Sequence, residues 1–219
     1  MSNKSLIEKI RDKDVERRSN KIFAIGLPKT GTTSLTHALR ILGYKTFHWP
    51  TNYIDQRILS IPPKKWDCCP MEDGRVEQWD ALTNFGENIY PLLDRDFPNS
   101  KFILTIREKY AWLDSSKRQF EVSKDDHKYI RNYNENWTVI PTSWIRRMNI
   151  YGCVSFDDDI YSHFYDTHYR NVLYYFKNRP QDLIIMDICE GDGWSKLCDF
   201  LSCEIPSLDF PNKNKNINI

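Results

Sequence analysis

The chain has 219 residues, of which 40% are apolar and 28% are charged, an ordinary balance for a globular domain. This length predicts one domain with a sizeable hydrophobic core. The 31 Lys and Arg residues nearly cancel the 30 Asp and Glu residues, and the net charge of +1 gives no indication of nucleic-acid binding. A local basic pocket is compatible with that overall balance.

Residues 1–20 are strongly charged and predict an N-terminal arm in front of the domain. They lack the apolar core of a signal peptide, and no apolar run approaches the roughly 18 residues that a membrane-spanning helix needs. The six cysteines form no C-x-x-C pair and the histidines do not have zinc spacing. We therefore expect free thiols, with a disulfide as the alternative, no metal site, no membrane contact and a cytoplasmic location.

Residues 21–35 predict a strand, a loop and the start of a helix in direct succession. Residues 22–25 form a short apolar run that suits a buried strand, and residues 26–31 form a loop that begins and ends with glycine. Gly43 is the stop signal of the following helix, whose apolar face comprises Leu35, Ala38, Leu39 and Leu42. Backbone N–H groups at a helix start are unpaired, and the helix dipole adds partial positive charge there. The segment therefore predicts a site for an anionic group such as phosphate.

Beyond this segment the chain alternates between predicted strands and helices. The predicted strands comprise residues 44–48, 79–83, 101–106 and 183–188. The predicted helices comprise residues 51–60, 88–94, 110–122, 141–151, 157–177 and 194–201. Alternating strands and helices, with an anion-binding loop after the first strand, predict a three-layer α/β fold with a central parallel sheet. We expect this fold to form a single domain over residues 21–219.

Three further features of the sequence concern the surroundings of a binding site. Residues 61–79 are rich in Pro and Trp and predict an ordered loop that lines an acceptor pocket. Residues 123–140 are polar and aromatic without periodicity, and they predict a mobile lid or an acceptor loop. His168 falls in an apolar row of the helix at residues 157–177, so a core position and a role in the site are both open.

The glycine-bounded loop is similar to a Walker A loop but departs from it at one decisive position. Gly26 and Gly31 have the Walker A spacing, but Thr32 stands where that motif has its lysine. The cation of this loop is Lys29, two residues before the second glycine. The displaced lysine argues against a site for ATP with magnesium, and the alternative without function is an ordinary strand–loop–helix turn with an exposed lysine.

Residues 28–33, Pro-Lys-Thr-Gly-Thr-Thr, resemble the 5′-phosphosulfate loop of sulfotransferases that use 3′-phosphoadenosine 5′-phosphosulfate (PAPS). The family string, Pro-Lys-[Ser/Thr]-Gly-Thr-[Thr/Ser], is matched at every position. The resemblance implies that the donor is bound by Pro28, Lys29, Thr30, Gly31, Thr32 and Thr33. It also implies that Lys29 acts in catalysis by stabilising the leaving 5′-phosphate, that 3′-phosphoadenosine 5′-phosphate (PAP) is the product, and that no metal is required. The acceptor would be a small molecule with a hydroxyl or amine.

Arg107 and Ser115 supply a second sign of the same family. Arg107 directly follows the predicted strand at residues 101–106, and Ser115 lies eight residues later in the next helix. Ligands of parallel α/β sheets bind beyond the carboxyl ends of the strands. A guanidinium suits phosphate oxygens, and a hydroxyl can donate beside it. The resemblance implies that Arg107 and Ser115 hold the 3′-phosphate of PAPS, with Ser116 as an alternative to Ser115.

The general base is the point at which the chain departs from the family. Steroid and phenol sulfotransferases use a His in a Thr-His-Leu-Pro string, and Asn84 stands at that position here. An amide cannot accept the proton of the acceptor hydroxyl. A related branch of small sulfotransferases has an acidic string there, of which Asp80 is retained. We therefore expect Asp80 to be the base, with Glu87 in reserve; the alternative is that Asp80 is a structural acid.

The resemblance to this small branch covers most of residues 21–214. Residues 191–211 are similar to its Gly-Trp-x-x-Leu-Cys-x-Phe-Leu…Pro…Phe-Pro ending, and residues 165–168 are similar to its Tyr-x-x-His string. Residues 50–78 and 123–150 match poorly. Acceptor specificity is expected to lie in those two poorly matched segments.

Two other functions are alternatives. A P-loop kinase or NTPase is favoured by residues 183–187, four apolar residues followed by Asp187, which look like a Walker B strand. A non-catalytic nucleotide-binding protein is favoured by Asn84 at the usual position of the base. Both are separated from a sulfotransferase by the nucleotide that binds and by its need for magnesium.

Overall fold

Five short parallel strands form the central sheet in a computed structural model that describes residues 20–48, 76–121 and 142–212. The strands are β1 (Ile22–Ala24), β2 (Thr46–His48), β3 (Ala81–Thr83), β4 (Lys101–Thr105) and β5 (Leu183–Met186). The helices are α1 (Thr32–Ile41), α2 (Tyr90–Asp96), α3 (Lys109–Phe120), α4 (Thr142–Tyr151), α5 (Asp158–Phe176) and α6 (Trp194–Leu201). Two short 3-10 turns flank β5, at Pro180–Asp182 and Ile188–Glu190.

The strand order is β2-β3-β1-β4-β5, and every neighbouring pair is parallel. The predicted α/β fold with a central parallel sheet is therefore confirmed. After β1 the chain builds one side of the sheet with β2 and β3, and then crosses to the other side for β4 and β5. This reversal places a crevice at the carboxyl end of β1, where open α/β sheets bind their ligands.

Side chains alternate between the two faces of the sheet, and helices cover both faces. On one face, α2 and α5 pack on the strands in a core that includes Phe23, Leu82, Leu93, Phe97, Phe102, Leu104, Val172 and Phe176. On the other face, α1 and α6 pack on the strands in a core that includes Ile22, Ala24, Leu35, Leu39, Ile103, Met186, Trp194 and Leu197. Helix, sheet and helix make the three layers that the sequence predicts.

The observed bounds of the long helix α5 agree with its predicted bounds. It spans Asp158–Phe176, within one residue of the prediction at each end, because the Asp157 side chain caps it by accepting a hydrogen bond from the N–H of Ile160. None of the helices in the described ranges combines the length and the apolar character needed to cross a bilayer.

Several predictions fall outside the described residues. These are the N-terminal arm up to residue 19, the helix at residues 51–60, the acceptor loop up to residue 75, and the polar segment at residues 123–140. The site is therefore built from the sheet, its loops and the helices that the structure describes.

Candidate functional site

The loop at residues 26–31 leaves the carboxyl end of β1 in close contact with the end of β4. A Cβ atom added to Gly26 would lie 2.0 Å from Oγ1 of Thr105 and 2.4 Å from its carbonyl oxygen. Real Cβ atoms do not approach backbone this closely, so only glycine fits here. The first glycine of the motif therefore serves the packing of β1 against β4, and it fixes where the loop begins.

The hydroxyl of Thr30 holds the shape of this loop. Oγ1 of Thr30 donates to the carbonyl oxygen of Leu27 at 2.6 Å, and it lies 2.6 Å from Oγ1 of Thr105. Because the single Thr30 proton is given to Leu27, Thr105 is the donor in the second bond. The Thr30 side chain is buried and occupied, so its backbone N–H is the group it can offer to a ligand.

The loop ends in two left-handed residues that lead into α1. Lys29 has φ 74° and Gly31 has φ 89°. No described side chain caps α1, whose first helical bond runs from the N–H of Leu35 to the carbonyl oxygen of Gly31 at 3.1 Å. The N–H groups of Thr32 and Thr33 therefore stand at an open helix start, where unpaired donors and the helix dipole favour an anion.

Positive charge is concentrated around Lys29. Nζ of Lys29 is 3.4 Å from Oε1 of Gln119. Nη1 of Arg107 is 3.5 Å from the backbone carbonyl oxygen of Lys29. Burial lowers the pKa of Lys29, and the neighbouring charges of Arg107 and Arg118 lower it further. Three cations that repel one another around one loop are stabilised when an anion binds between them.

One face of α3 lies along this loop. The indole Nε1 of Trp112 donates to the carbonyl oxygen of Pro28 at 2.8 Å, and Gln119 approaches the loop lysine two turns later. Ser115 and Ser116 lie between them at helical spacing and therefore share this face. Ser115 is 8% exposed, whereas Ser116 is fully buried and its Oγ has no hydrogen-bond partner in the described part of the chain.

Arg107 lies where β4 gives way to α3, beside the loop. The hydroxyl of Tyr165 donates to the Arg107 carbonyl oxygen and holds the turn. The adjacent carboxylate of Glu108 caps α3 by accepting from the N–H groups of Tyr110 and Ala111, at 2.9 and 2.7 Å, and these bonds lower its pKa. Within the described ranges no carboxylate forms an ion pair with Arg107. The structure thus brings Arg107, Ser115 and the loop together at one edge of the sheet.

Asp80, by contrast, lies at the amino ends of the strands, which is the opposite end of the sheet from the loop. It precedes β3, where its carbonyl oxygen accepts from the N–H of Ile22 at 2.9 Å and its Oδ2 accepts from the N–H of Lys45 at 2.7 Å. Ile22 begins β1, whereas the loop begins at Gly26, roughly 13 Å further along at about 3.3 Å per residue. A general base must lie within hydrogen-bond reach of the acceptor. The expectation of Asp80 as the base is therefore corrected to the alternative, a structural acid.

The reserve candidate, Glu87, lies in the loop after β3 on the correct side of the sheet. Its carboxylate is buried and forms an ion pair with Arg146 of α4. Nη2 of Arg146 also donates to Oδ1 of Asn84 at 3.0 Å. Arg146 thus joins the residue at the usual base position to Glu87, and the carboxylate is engaged by a permanent cation.

His48 is a candidate site residue that the sequence pattern did not indicate. It ends β2, and its Nδ1 lies 2.9 Å from Oγ1 of Thr36 in α1 and 2.9 Å from Oγ1 of Thr83 in β3. Burial lowers its pKa to about 4, and cations on α1 and α4 add to the effect, so the ring is neutral at neutral pH. The available signal was a histidine at the carboxyl end of a predicted parallel strand, where ligands bind.

His168, left open by the sequence, is a core histidine. It is 6% exposed, and its Nε2–H donates to the carbonyl oxygen of Ile25 at 2.9 Å. Burial lowers the pKa of the ring. This hydrogen bond ties α5 to Ile25, the residue directly before the loop, so His168 helps to hold the start of the loop in place.

The resemblance of residues 183–187 to a Walker B strand is not supported by the position of Asp187. It follows β5, and β4 lies between β5 and β1. Its side chain accepts from the N–H of Glu190 at 3.1 Å and caps the following 3-10 turn. Asp187 is therefore a structural residue one strand removed from the loop.

Comparison with known proteins agrees with this geometry. A family model described as "Sulfotransferase domain" matches residues 21–219, which begin just before β1 and include every described strand and helix. No curated protein matches the chain at a significant level. Because the family model covers nearly the whole sequence, the chain belongs to the sulfotransferase domain family.

Proposed function

We propose that the protein transfers the sulfuryl group of PAPS to a hydroxyl or amine of a small-molecule acceptor and releases PAP. This proposal rests on two separate positively charged regions at the carboxyl ends of the strands. One is the loop with Lys29 and the start of α1; the other is Arg107 with Ser115 on α3. PAPS carries anionic groups at two separate positions of its ribose, whereas ATP carries all its phosphates at one.

The loop would act on the group that gains charge during transfer. The acceptor oxygen or nitrogen forms a bond to sulfur, while the bond between sulfur and the bridging oxygen of the 5′-phosphate breaks. Negative charge then develops on the 5′-phosphate. Lys29 and the N–H groups of Thr32 and Thr33 are fixed before the reaction, so they stabilise this charge without reorganisation. We propose no metal ion in this step, because these donors supply the positive charge.

Calorimetry separates this function from a kinase or NTPase. We expect PAP to bind without magnesium, because the loop lysine and Arg107 neutralise its two phosphate groups directly. AMP, which lacks the 3′-phosphate, should bind more weakly. Magnesium-dependent binding of ATP together with no binding of PAP would contradict the proposal and favour a P-loop NTPase.

Turnover separates an enzyme from a non-catalytic nucleotide-binding protein. Radiolabelled PAPS is incubated with alcohols, phenols and amines, and labelled products are counted. Transfer to at least one compound is expected and identifies the acceptor class. Tight PAP binding with neither transfer nor hydrolysis of PAPS would support the non-catalytic alternative.

We further propose that the protein acts in the cytoplasm. All cysteines in the described ranges, Cys153, Cys189, Cys198 and Cys203, are free thiols. Free thiols suit a reducing compartment, in which disulfides are rare.

A further inference from the structure

The acceptor's proton needs a recipient, and three residues near β3 do not suit that role. The amide of Asn84 cannot accept a proton, and Asp80 lies at the amino edge of the sheet. The carboxylate of Glu87 is held by Arg146. At the carboxyl ends of β2 and β3, His48 is the remaining side chain in the described residues that is a free base at neutral pH.

His48 is held by a compact cluster of hydroxyl groups. Its Nδ1 is 2.9 Å from Oγ1 of both Thr36 and Thr83, and the two hydroxyl oxygens are 2.7 Å apart. Thr36 Oγ1 donates to the carbonyl oxygen of Thr32 at 2.7 Å. Thr83 Oγ1 lies 3.2 Å from the carbonyl oxygen of Phe47. The ring is therefore oriented by α1 and by β3 together.

A count of protons assigns the tautomer of the ring. The one hydroxyl proton of Thr36 goes to the carbonyl oxygen of Thr32, and the one hydroxyl proton of Thr83 is shared between the hydroxyl oxygen of Thr36 and the carbonyl oxygen of Phe47. Neither hydroxyl has a proton left for the imidazole. Nδ1 of His48 must itself carry a proton and donate to the hydroxyl oxygens, so the unprotonated nitrogen is Nε2.

This ring lies close to the predicted position of the donor. Thr36 is four residues after Thr32, the first residue of α1, which corresponds to about 6 Å along the helix axis. No side chain that the structure describes caps the start of α1, which is where the proposed function places the 5′-phosphosulfate. Nε2 has no hydrogen-bond partner among the described residues, so it is available to a group bound beside the loop.

We propose that Nε2 of His48 is the general base that accepts the acceptor's proton. The assignment rests on the proposed sulfuryl transfer. As the acceptor oxygen bonds to sulfur and the 5′-phosphate leaves, the hydroxyl proton moves to Nε2 and the ring becomes an imidazolium. Nδ1–H remains bonded to Thr36 and Thr83, and the proton on Nε2 is then released to water. A histidine on β2 thus compensates for Asn84 at the usual position.

The charges that face His48 predict how donor binding changes it. Burial lowers its pKa, and Arg146 from α4 with Arg40 and His37 from α1 lower it further. The ring is therefore neutral in the free protein at neutral pH, with its lone pair on Nε2. Bound phosphate groups near the start of α1 offset those cations and favour the imidazolium. Binding of PAP should raise the pKa of His48.

Nitrogen-15 NMR of the imidazole rings tests the assignment on the wild-type protein, with PAP as the probe. We expect His48 to show a protonated Nδ1 and an unprotonated Nε2. We also expect saturating PAP to raise its pKa by about one unit or more, the usual effect of a nearby opposite charge. An Nε2–H tautomer, or an unchanged pKa with PAP bound, would overturn the assignment. The exposed ring of His163 in the same spectra is the internal control.

The variant His48→Asn tests the base separately from the hydroxyl cluster. The Asn amide can keep the donation to Thr36 and Thr83 but has no group at the position of Nε2. We expect PAPS turnover, with water and with the best acceptor of the screen, to fall about 100-fold or more while PAP affinity is retained. The control variant His163→Asn should keep full turnover. His48→Asn with full turnover would refute the assignment.

The two proposals fail in different ways. If the wild-type protein does not bind PAP, the proposed function itself is wrong. If PAP binds and PAPS is turned over but His48 is an Nε2–H tautomer or its loss has no effect, only the base is wrong. Should His48→Asn not fold, the wild-type NMR titration decides by itself.

Discussion

The indole N–H of Trp112 and the carbonyl oxygen of Pro28 form a 2.8 Å hydrogen bond that ties α3 to the loop after β1. Trp112 is fully buried, and its ring packs against Tyr161 and Tyr165 of α5. Ser115 follows one turn later on the same helix. This buried contact therefore fixes the separation between the loop and Ser115, the two places at which we propose that anionic groups bind.

Trp112→Phe keeps an aromatic ring in this position but removes the hydrogen bond. It leaves the buried carbonyl of Pro28 without its donor, so we expect a stability loss of about 1–3 kcal/mol in urea unfolding. PAP affinity should also fall in calorimetry, because the loop loses its attachment. The matched control is Trp194→Phe, which removes a similar bond to the carbonyl oxygen of Leu208, a residue outside the loop. Equal effects of both variants on PAP affinity would contradict the coupling.

Lys29→Ala is expected to damage both donor binding and turnover. Under the proposed function, Lys29 faces the 5′-phosphosulfate. Its positive charge would then stabilise the bound donor, and it would stabilise the leaving phosphate more strongly. Calorimetry with PAP and the rate at saturating PAPS measure the two effects. Lys117→Ala, an exposed lysine on α3, is the control. A weaker PAP affinity with an unchanged rate would limit Lys29 to ground-state binding.

Arg107→Lys tests whether Arg107 recognises the 3′-phosphate. Lys retains the charge but loses the planar fork that fits two phosphate oxygens. We expect PAP affinity to fall about 10-fold, the equivalent of about 1.4 kcal/mol, while AMP affinity stays the same. Arg95→Lys, a surface variant on α2, controls for the exchange itself. An equal loss for PAP and AMP would place Arg107 on the 5′ side of the site.

Gly26→Ala should be the most destabilising of the loop variants. The added methyl would meet the backbone of Thr105, which cannot move without separating β1 from β4. We expect a loss of at least ~3 kcal/mol, the upper end of overpacking, seen as a lower Tm in calorimetry. Gly43→Ala is the comparison, because φ is +89° there but nothing lies within 4 Å. Its cost should be near 1 kcal/mol, that of a left-handed alanine. The reverse order would contradict the close contact.

Asp94→Asn should change the acid dependence of stability. Burial alone would raise the pKa of Asp94, but hydrogen bonds from Arg179, at 3.1 and 2.6 Å, and from Tyr175, at 2.8 Å, lower it overall. A lowered folded-state pKa means stability that is present above the unfolded pKa of about 3.9 and lost as the pH falls through the folded value. The variant should therefore be less stable than the wild type at neutral pH.

Below about pH 3.9 this difference between Asp94→Asn and the wild type should shrink, because the wild-type carboxylate becomes protonated and loses its advantage. Urea unfolding at a series of pH values measures it. The control Asp199→Asn, at an exposed position of α6, should shift stability by less than ~0.5 kcal/mol at every pH. A difference that is constant with pH would show that the Asp94 charge is not what stabilises the contact.

Local sequence patterns sufficed to locate the loop, Arg107 and Ser115, the residues that we propose bind the donor. The loop, its lysine and the start of α1 are contiguous, so strand, glycine spacing and helix periodicity together specify their geometry. Arg107 and Ser115 are also close in sequence, separated by one strand end and two helical turns. For the same reason, the bounds of α5 follow from its apolar row and from its cap at Asp157.

The proposed general base, His48, was not indicated by local sequence patterns. The strand predicted at residues 79–83 already placed Asp80 near its start, and the rule that ligands bind at carboxyl ends argues against it. The family string at that position favours Asp80 instead. The strand register, which pairs Ile22 with Ala81 at the amino edge, shows where the residue lies.

What the sequence by itself determined is the class of fold, the strand–loop–helix at residues 21–35 and the membership in a family, because each depends on neighbouring residues whose geometry the backbone fixes. What only the tertiary structure revealed is the cluster around His48, on which the proposed general base rests. His48 meets Thr36 and Thr83, which are 12 and 35 residues away, because β2 pairs with β3 in parallel while α1 packs on the same face. Such contacts are set by sheet register and helix packing, which side-chain spacing along the chain does not encode.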